Sequence, residues 1–556
     1  MTPASATFTS RVHGRLRPVW TVALTAVPIL FLTVFFAYPL VSILWRGLAP
    51  DGVLDLGTVA EVLGEGRTWE IAWFTLWQAA VSTVLTVVLG LPAAQVFARY
   101  RFAGKRLARA LVTVPFVLPT VVVATAFLTL LGPSGPLGID LRRTIWAVLI
   151  AHVFFNLAVV IRTVSGAWAV LDPRPEEAAR VLGASPLRAF LWVTLRRLVP
   201  AIGAAAAIVF LFTFTSFGVV LILGGPGLAT LEVETYVQTV TFLNLDVAAV
   251  LALLQLMAVV ALLVAQRLVV SRRERGERLQ AERTSARPPR GWHEKAWVTA
   301  NLASLGLFLG VPVAVLVERS FRVGDGYGLE WWRSLGRRGR GSTLFVTPWE
   351  AVANSLTAAV VAMVIALVVG GVAAVVIGYG RGAPAHGLDA VLMLPLGASA
   401  ATIGFGFLIA LDTPPLDLRT SPWIVPIAHA LVGIPFVIRI MVPAIRSVEG
   451  RLRGAAATLG ASPWQAWRAV DLPLVGRSLA VAAGFAFAIS MGEFGATSFI
   501  ARPDRPTIPV AIYRFLGRPG DANYGQALAM SVILMVVTAT AVLVIERFRV
   551  GEVGDF

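Results

Sequence analysis

Glu493 stands in the run SMGEFGATSF, deep inside an apolar stretch. A carboxylate at that depth is costly unless it faces a water-filled cavity or a partner group. Two chemistries suit it: transient contact with a cationic solute, or a structural pair with a basic residue or a backbone amide. Gly492 and Gly495 flank it and permit close backbone approach or local unwinding. An equivalent run in the first half, FTSFG, sets Ser216 opposite Glu493, Phe217 opposite Phe494 and Gly218 opposite Gly495. These six residues are the candidate lining of a translocation path.

His152 and His429 are a second matched pair in apolar runs. Two histidines are too few for a metal, and no carboxylate recurs beside them at ligand spacing. Buried, hydrogen-bonded imidazoles are the expectation, with no metal site. The chain has no cysteine, which removes thiolate ligands, thiol nucleophiles and disulfides. It has no G-x-x-x-x-G-K-S/T sequence, so ATP hydrolysis by this chain alone is not expected. No repeated acid/base constellation supports a membrane-embedded enzyme. No catalytic residue and no cofactor bound by the chain are therefore expected.

These candidates belong to a repeat. Residues 177–186 read EAARVLGASP and residues 454–463 read GAAATLGASP, which sets Gly183 and Gly460 277 positions apart. At the same spacing Trp146 falls on Trp423, His152 on His429, Arg162 on Arg439, Phe217 on Phe494 and Tyr236 on Tyr513. One offset shared by so many residues means a duplicated unit of about 270 residues. Pro115 and Pro395 correspond at a spacing of 280 and are candidates to bend their helices.

The elements that must position these residues are membrane spans. The chain is 57% hydrophobic and only 14% charged, with a mean hydropathy of +0.78, whereas a soluble domain carries about 25% charged residues. Many of its apolar runs reach the roughly 20 residues that a bilayer helix needs. The fold class expected is an all-α polytopic membrane protein, with about twelve transmembrane helices as two parallel six-helix repeats. The spans fall near 19–45, 69–98, 110–132, 144–170, 200–224 and 246–270, then near 296–317, 351–379, 389–411, 422–444, 475–499 and 523–546. The first repeat covers 1–270 with its loop at 172–199. A linker covers 271–295, and the second repeat covers 296–556 with its loop at 445–474.

An even number of crossings between the two loops puts both on one side. Arg11, Arg15 and Arg17, the arginines of 99–109, those of the first loop and those of the linker from Arg272 to Arg290 fall on that side too. The positive-inside rule makes it cytoplasmic, with both termini cytoplasmic and the protein multi-pass in the cell (inner, cytoplasmic) membrane. Residues 319–340 break the pattern, with Arg319, Arg322, Arg333, Arg337, Arg338 and Arg340 on the outer side; Trp331 and Trp332 suggest a piece at the interface. The net charge of +16 is spread over short loops, and no soluble domain is present to bind nucleic acid.

Within the first loop, Glu176 and Glu177 open a stretch of good helix formers, Gly183 suits a positive φ, and Ser185-Pro186 fits the cap and first position of a second helix. Gly460, Ser462 and Pro463 repeat this. Two such helix–turn–helix elements suit a partner present in two copies. The alternative is a pair of loops that pack under their own bundles.

The pattern E-A-A, three residues, G, nine residues, a hydrophobic residue, one residue, L-P resembles the EAA loop of ATP-binding-cassette (ABC) importer permeases. Glu177, Ala178, Ala179, Gly183, Val193 and Leu195 match it, with Arg196 in place of the last proline. Ala455, Ala456, Gly460, Val470, Leu472 and Pro473 match it again, with Gly454 in place of the glutamate. The whole chain is similar to the fused two-half permeases of the ferric-iron and thiamine importers, the binding-protein-dependent transport inner membrane components. The resemblance implies that Glu176, Glu177, Ala178, Ala179, Gly183, Ala184, Ala455, Ala456, Gly460 and Ala461 couple to two copies of a cytoplasmic ATPase carrying ATP and Mg. It also implies an extracytoplasmic solute-binding protein and ATP-driven alternating access. The alternative class is an ion-coupled secondary transporter with two six-span halves.

Overall fold

A computed structural model gives the fold. It describes residues 18–549 apart from 50–51, 54–55, 134, 226, 272–285, 338–343, 381, 413 and 415. Arg11, Arg15, Arg17, Arg272, Arg273, Arg275, Arg278, Arg283, Arg338, Arg340 and most of the expected linker lie outside the described residues.

The protein is an all-α polytopic membrane protein. Ten helices among the described residues are long and apolar enough to cross a bilayer, from Val22–Leu48 to Asp521–Ile545. Two more pairs pass the same test together but are bent: Lys105–Val117 with Thr120–Leu130 by 98°, and Pro384–Gly397 with Ala400–Ala410 by 93°. The expected third and ninth spans are these bent pairs. Pro115 and Pro395 sit in the last turn before each bend rather than at it. In the first pair Leu118 turns extended because it precedes Pro119, whose ring disfavours a helical neighbour. In the second, Ala398 is extended and Ser399 restarts the chain by accepting the Thr402 N–H at 3.0 Å. Within 319–337 the structure forms an antiparallel pair of two-residue strands, Arg322–Val323 with Gly326–Tyr327, and the short helix Glu330–Ser334.

The spans Ile145–Ala169 and Ile424–Ser447 are the central ones, each with 67% of its apolar window buried against protein. Small residues bring the neighbouring spans onto them. A Cβ at Gly90 would meet Val160 at 2.7 Å, and one at Gly370 would meet Val437 at 3.1 Å. Gly90 and Gly370 are repeat mates at 280, and Val160 and Val437 at 277, so one tight crossing is built twice.

By contacts the chain divides into two compact units that cut across the sequence repeats. One gathers the described residues up to Ile43, Val352–Arg502 and the described residues from Val537; the other gathers Leu44–Ala351 and Pro503–Val536. In the former, the first span packs on helices of the second repeat: Phe35 lies 6.3 Å from Phe407, and Gly406 backs onto Pro39 and Ile43. In the latter, the seventh span packs on helices of the first repeat, with Leu305 in a buried cluster with Ala93, Phe97, Val153 and Leu157, and Phe308 6.0 Å from Phe154. Each unit therefore takes in an opening span from the other repeat.

Candidate functional site

The repeated loops form helix, turn and helix at matched positions. The first loop helix is Arg174–Val181 and the second is Gly450–Thr458. Gly183 ends the first with φ +91 and Gly460 the second with φ +86. The Ala184 N–H donates to Ala179 O at 3.0 Å and the Gly183 N–H to Arg180 O at 3.1 Å. Ala461 to Ala456 and Gly460 to Ala457 repeat these bonds, each at 3.0 Å. This is the Schellman closure, which a residue with a Cβ enters at a steric cost. Ser185 then caps the next helix by accepting the Arg188 N–H at 3.3 Å. Ser462 does the same for Gln465, whose side chain returns a bond to the Ser462 N–H at 2.8 Å, a capping box.

Two apolar residues flank each turn and face outward. Leu182 is 87% exposed and its mate Leu459 88%; Leu187 and its mate Trp464 are each 65% exposed. Glu177, Ala178 and Ala455 are exposed beside them, Ala179 and Ala456 supply the closing carbonyls, and Glu176 turns inward. Glu176 accepts from Arg99 at 2.9 Å and from the Thr194 hydroxyl at 2.5 Å.

The second constellation lies where two long helices break. Pro186–Phe214 gives way at 215–217 to the short helix Gly218–Leu223, and Trp464–Gly492 gives way at 493–494 to Gly495–Ile500. A histidine on the central span of each unit is bonded at the break. His152 meets Ser82 at 3.0 Å through Nδ1 and Ser216 at 2.8 Å through Nε2. His429 meets Ser490 and Thr497, each at 2.7 Å. Both ring nitrogens of each imidazole are thus engaged by hydroxyls, as expected for buried histidines. Among the described residues no group of three His, Asp or Glu residues is arranged for a metal ion.

Glu493 is buried, its side chain 4% exposed, and its carboxylate caps the short helix that follows. It accepts from the Ala496 N–H at 2.7 Å, the Thr497 N–H at 3.0 Å and the Thr497 hydroxyl, and lies 3.1 Å from His429 Nε2. Of its two expected chemistries, this geometry is the amide-and-histidine pair. Gly495 packs against the backbone of the bent ninth span, where a Cβ would meet Ala400 at 3.0 Å and the Ala401 N at 3.1 Å. Phe217 and Phe494 are buried at their breaks, and Gly218 begins its short helix.

Beyond the breaks, Tyr236 on Leu231–Val240 meets Tyr513 on Ile508–Leu516, edge to face at 6.4 Å, and Phe217 lies 5.4 Å from Tyr236. The tyrosines are repeat mates at a spacing of 277. Sequence reasoning identified them as repeat mates but not as partners. It also missed Thr194, Arg99, Arg453, Asp471 and Tyr379, which only their contacts with the loop helices bring forward.

Residues 86–275 match the family described as binding-protein-dependent transport system inner membrane component. The chain is 28% identical over 497 residues to the thiamine transport system permease protein ThiP of Brucella abortus (strain 2308), covering 86% of this chain and 87% of the relative. It is 27% identical to ThiP of Escherichia coli (strain K12), covering 81% and 84%. With the probable ABC transporter permease protein y4fN of Sinorhizobium fredii it shares 25% over 94% of this chain and 95% of that one. A solved bacterial ABC transporter involved in import of the acidic polysaccharide alginate aligns at 15% identity and a TM-score of 0.40, over 46% of this chain and 96% of its own. Residues 86–275 therefore carry the domain of this family, and over most of its length the chain is similar to transport permease proteins.

Proposed function

We propose that this permease carries a small solute into the cytoplasm by ATP-driven alternating access, with thiamine as the first candidate and ferric iron as the second. The observation that carries the mechanism is the pair of matched turns, each flanked by the same two exposed apolar positions (Leu182 and Leu187, Leu459 and Trp464). Apolar side chains that far out of the fold, doubled at one spacing, suit docking into two copies of one partner. That partner is a cytoplasmic ATPase holding ATP and Mg; this chain holds no cofactor. An extracytoplasmic binding protein delivers the solute. The loops and both termini are cytoplasmic, and the protein is multi-pass in the inner (cytoplasmic) membrane. The path passes the helix breaks at Ser216, Phe217 and Gly218 and at Glu493, Phe494 and Gly495. Thiamine leads because two of the full-length relatives carry it in their names.

Uptake in proteoliposomes tests this. Thiamine should enter only when the cognate ATPase, ATP and the binding protein are all present. Gly183→Asp or Gly460→Asp should leave the permease inserted while reducing the ATPase that co-purifies, because each turn needs a positive φ. Uptake driven by an ion gradient without the ATPase would replace this proposal with a secondary transporter.

A further inference from the structure

Each loop helix is tied to its own bundle by a three-residue brace, and the two braces use the same positions with opposite charge. In the first, the Arg99 guanidinium and the Thr194 hydroxyl both donate to Glu176 Oε2, at 2.9 and 2.5 Å. In the second, Arg453 donates to Asp471 Oδ1 from Nε at 2.8 Å and from Nη2 at 2.5 Å. The Tyr379 hydroxyl donates to that same oxygen at 2.8 Å, and the Arg453 guanidinium lies 4.7 Å over the Tyr379 ring.

The positions correspond one by one. Glu176 and Arg453 are repeat mates at 277, and so are Thr194 and Asp471. Arg99 and Tyr379 are mates at 280, the spacing that also relates Pro115 to Pro395 and Gly90 to Gly370. The residue on the loop helix is an anion in one repeat and a cation in the other, and its partners change with it. In both repeats the partner after the loop, Thr194 or Asp471, lies in a wide π turn, Phe190–Leu195 or Trp467–Asp471. The third partner is the last residue of the second span, Gly66–Arg99, or of the eighth, Pro348–Tyr379.

We propose that Glu176 and Arg453 are positioning residues that join each loop helix to the second or eighth span and to the helix that follows the loop, so that displacement of the loop moves those helices as one body. This rests on the loops being the ATPase docking elements proposed above. Opposite charge at matched positions means that what the repeat preserves is the tie itself, not one charge pattern. Neither residue belongs to the exposed apolar faces at Leu182 and Leu459, so docking and transmission are separable.

The test uses the permease reconstituted with its ATPase and binding protein, reading ATP hydrolysed and solute taken up. Glu176→Arg sets like charges beside Arg99. The ATPase should still co-purify, while uptake per ATP falls about fivefold. Adding Arg99→Tyr and Thr194→Asp to Glu176→Arg installs the second repeat's brace in the first and should return uptake per ATP to near the wild-type value. The reciprocal set, Tyr379→Arg, Arg453→Glu and Asp471→Thr, is read the same way if the first triple variant does not fold. Wild-type uptake per ATP in Glu176→Arg overturns the proposal. So does a triple variant no better than the single one, or failure of both triple sets to fold. Failure of the docking assignment has a different signature: wild-type permease that neither binds the ATPase nor needs it.

Discussion

Glu493 is best understood as a pin. Three hydrogen bonds and a histidine converge on one buried carboxylate at the point where a long helix stops and a short one begins. A broken helix at membrane depth frees backbone N–H groups that lipid cannot satisfy, and the carboxylate satisfies two of them. Glu493→Ala should therefore cost about 1.5–3 kcal/mol, the range for hydrogen bonds to charged groups. Thermal unfolding in detergent should show a lower midpoint, and His429→Ala added to it should cost less than His429→Ala alone, since the two side chains share one interaction. If Glu493→Ala keeps the wild-type midpoint yet loses uptake, the carboxylate acts on the solute and not on the break. The first repeat manages the same break without a carboxylate, with His152 between Ser82 and Ser216.

At the scale of elements, the tight crossing of Gly90 on Val160 and of Gly370 on Val437 sets how closely the second and eighth spans approach the central spans. Lipid gives helices no hydrophobic reason to pair, so contact between small and branched residues supplies the attraction. Gly90→Val places its first carbon within 2.7 Å of Val160, an overpacking worth about 1–3 kcal/mol. Monodisperse yield on size exclusion should fall in that variant and recover in part when Val160→Ala is added. A Gly90→Val protein that behaves as wild type would mean the crossing opens without cost. The same pair of experiments at Gly370 and Val437 should give the same result, because the crossing is repeated.

Across the whole molecule, the contact of Tyr236 with Tyr513 marks where repeat mates meet. The path proposed above passes Phe217, which lies 5.4 Å from Tyr236, so the tyrosine pair stands beside that proposed path. The chain contains no cysteine, which makes Tyr236→Cys with Tyr513→Cys a clean pair for cross-linking. A short thiol-reactive cross-linker should stop uptake by the paired variant and leave each single variant active. Uptake unchanged in a fully cross-linked sample would remove the tyrosines from the path.

How much of this was legible beforehand follows from where each feature's cause lies. Membrane class, the duplication, the loop turns and the burial of both histidines are written locally. Apolar run length answers to bilayer thickness, and Gly183 and Gly460 answer to a positive φ that few other residues accept. The bends near Pro115 and Pro395 were half visible: the prolines flagged the helices, while Pro119 and Ser399 made the turns. Three matters were settled only by the tertiary structure. They are the joining of each opening span to helices of the other repeat, the partners of Glu493, and the charge-reversed ties at Glu176 and Arg453. An apolar helix meets lipid and protein with nearly equal favour, so hydropathy says that it spans but not what it touches. That choice falls to shape and to polar groups distant in sequence, which only the assembled fold brings within bonding distance.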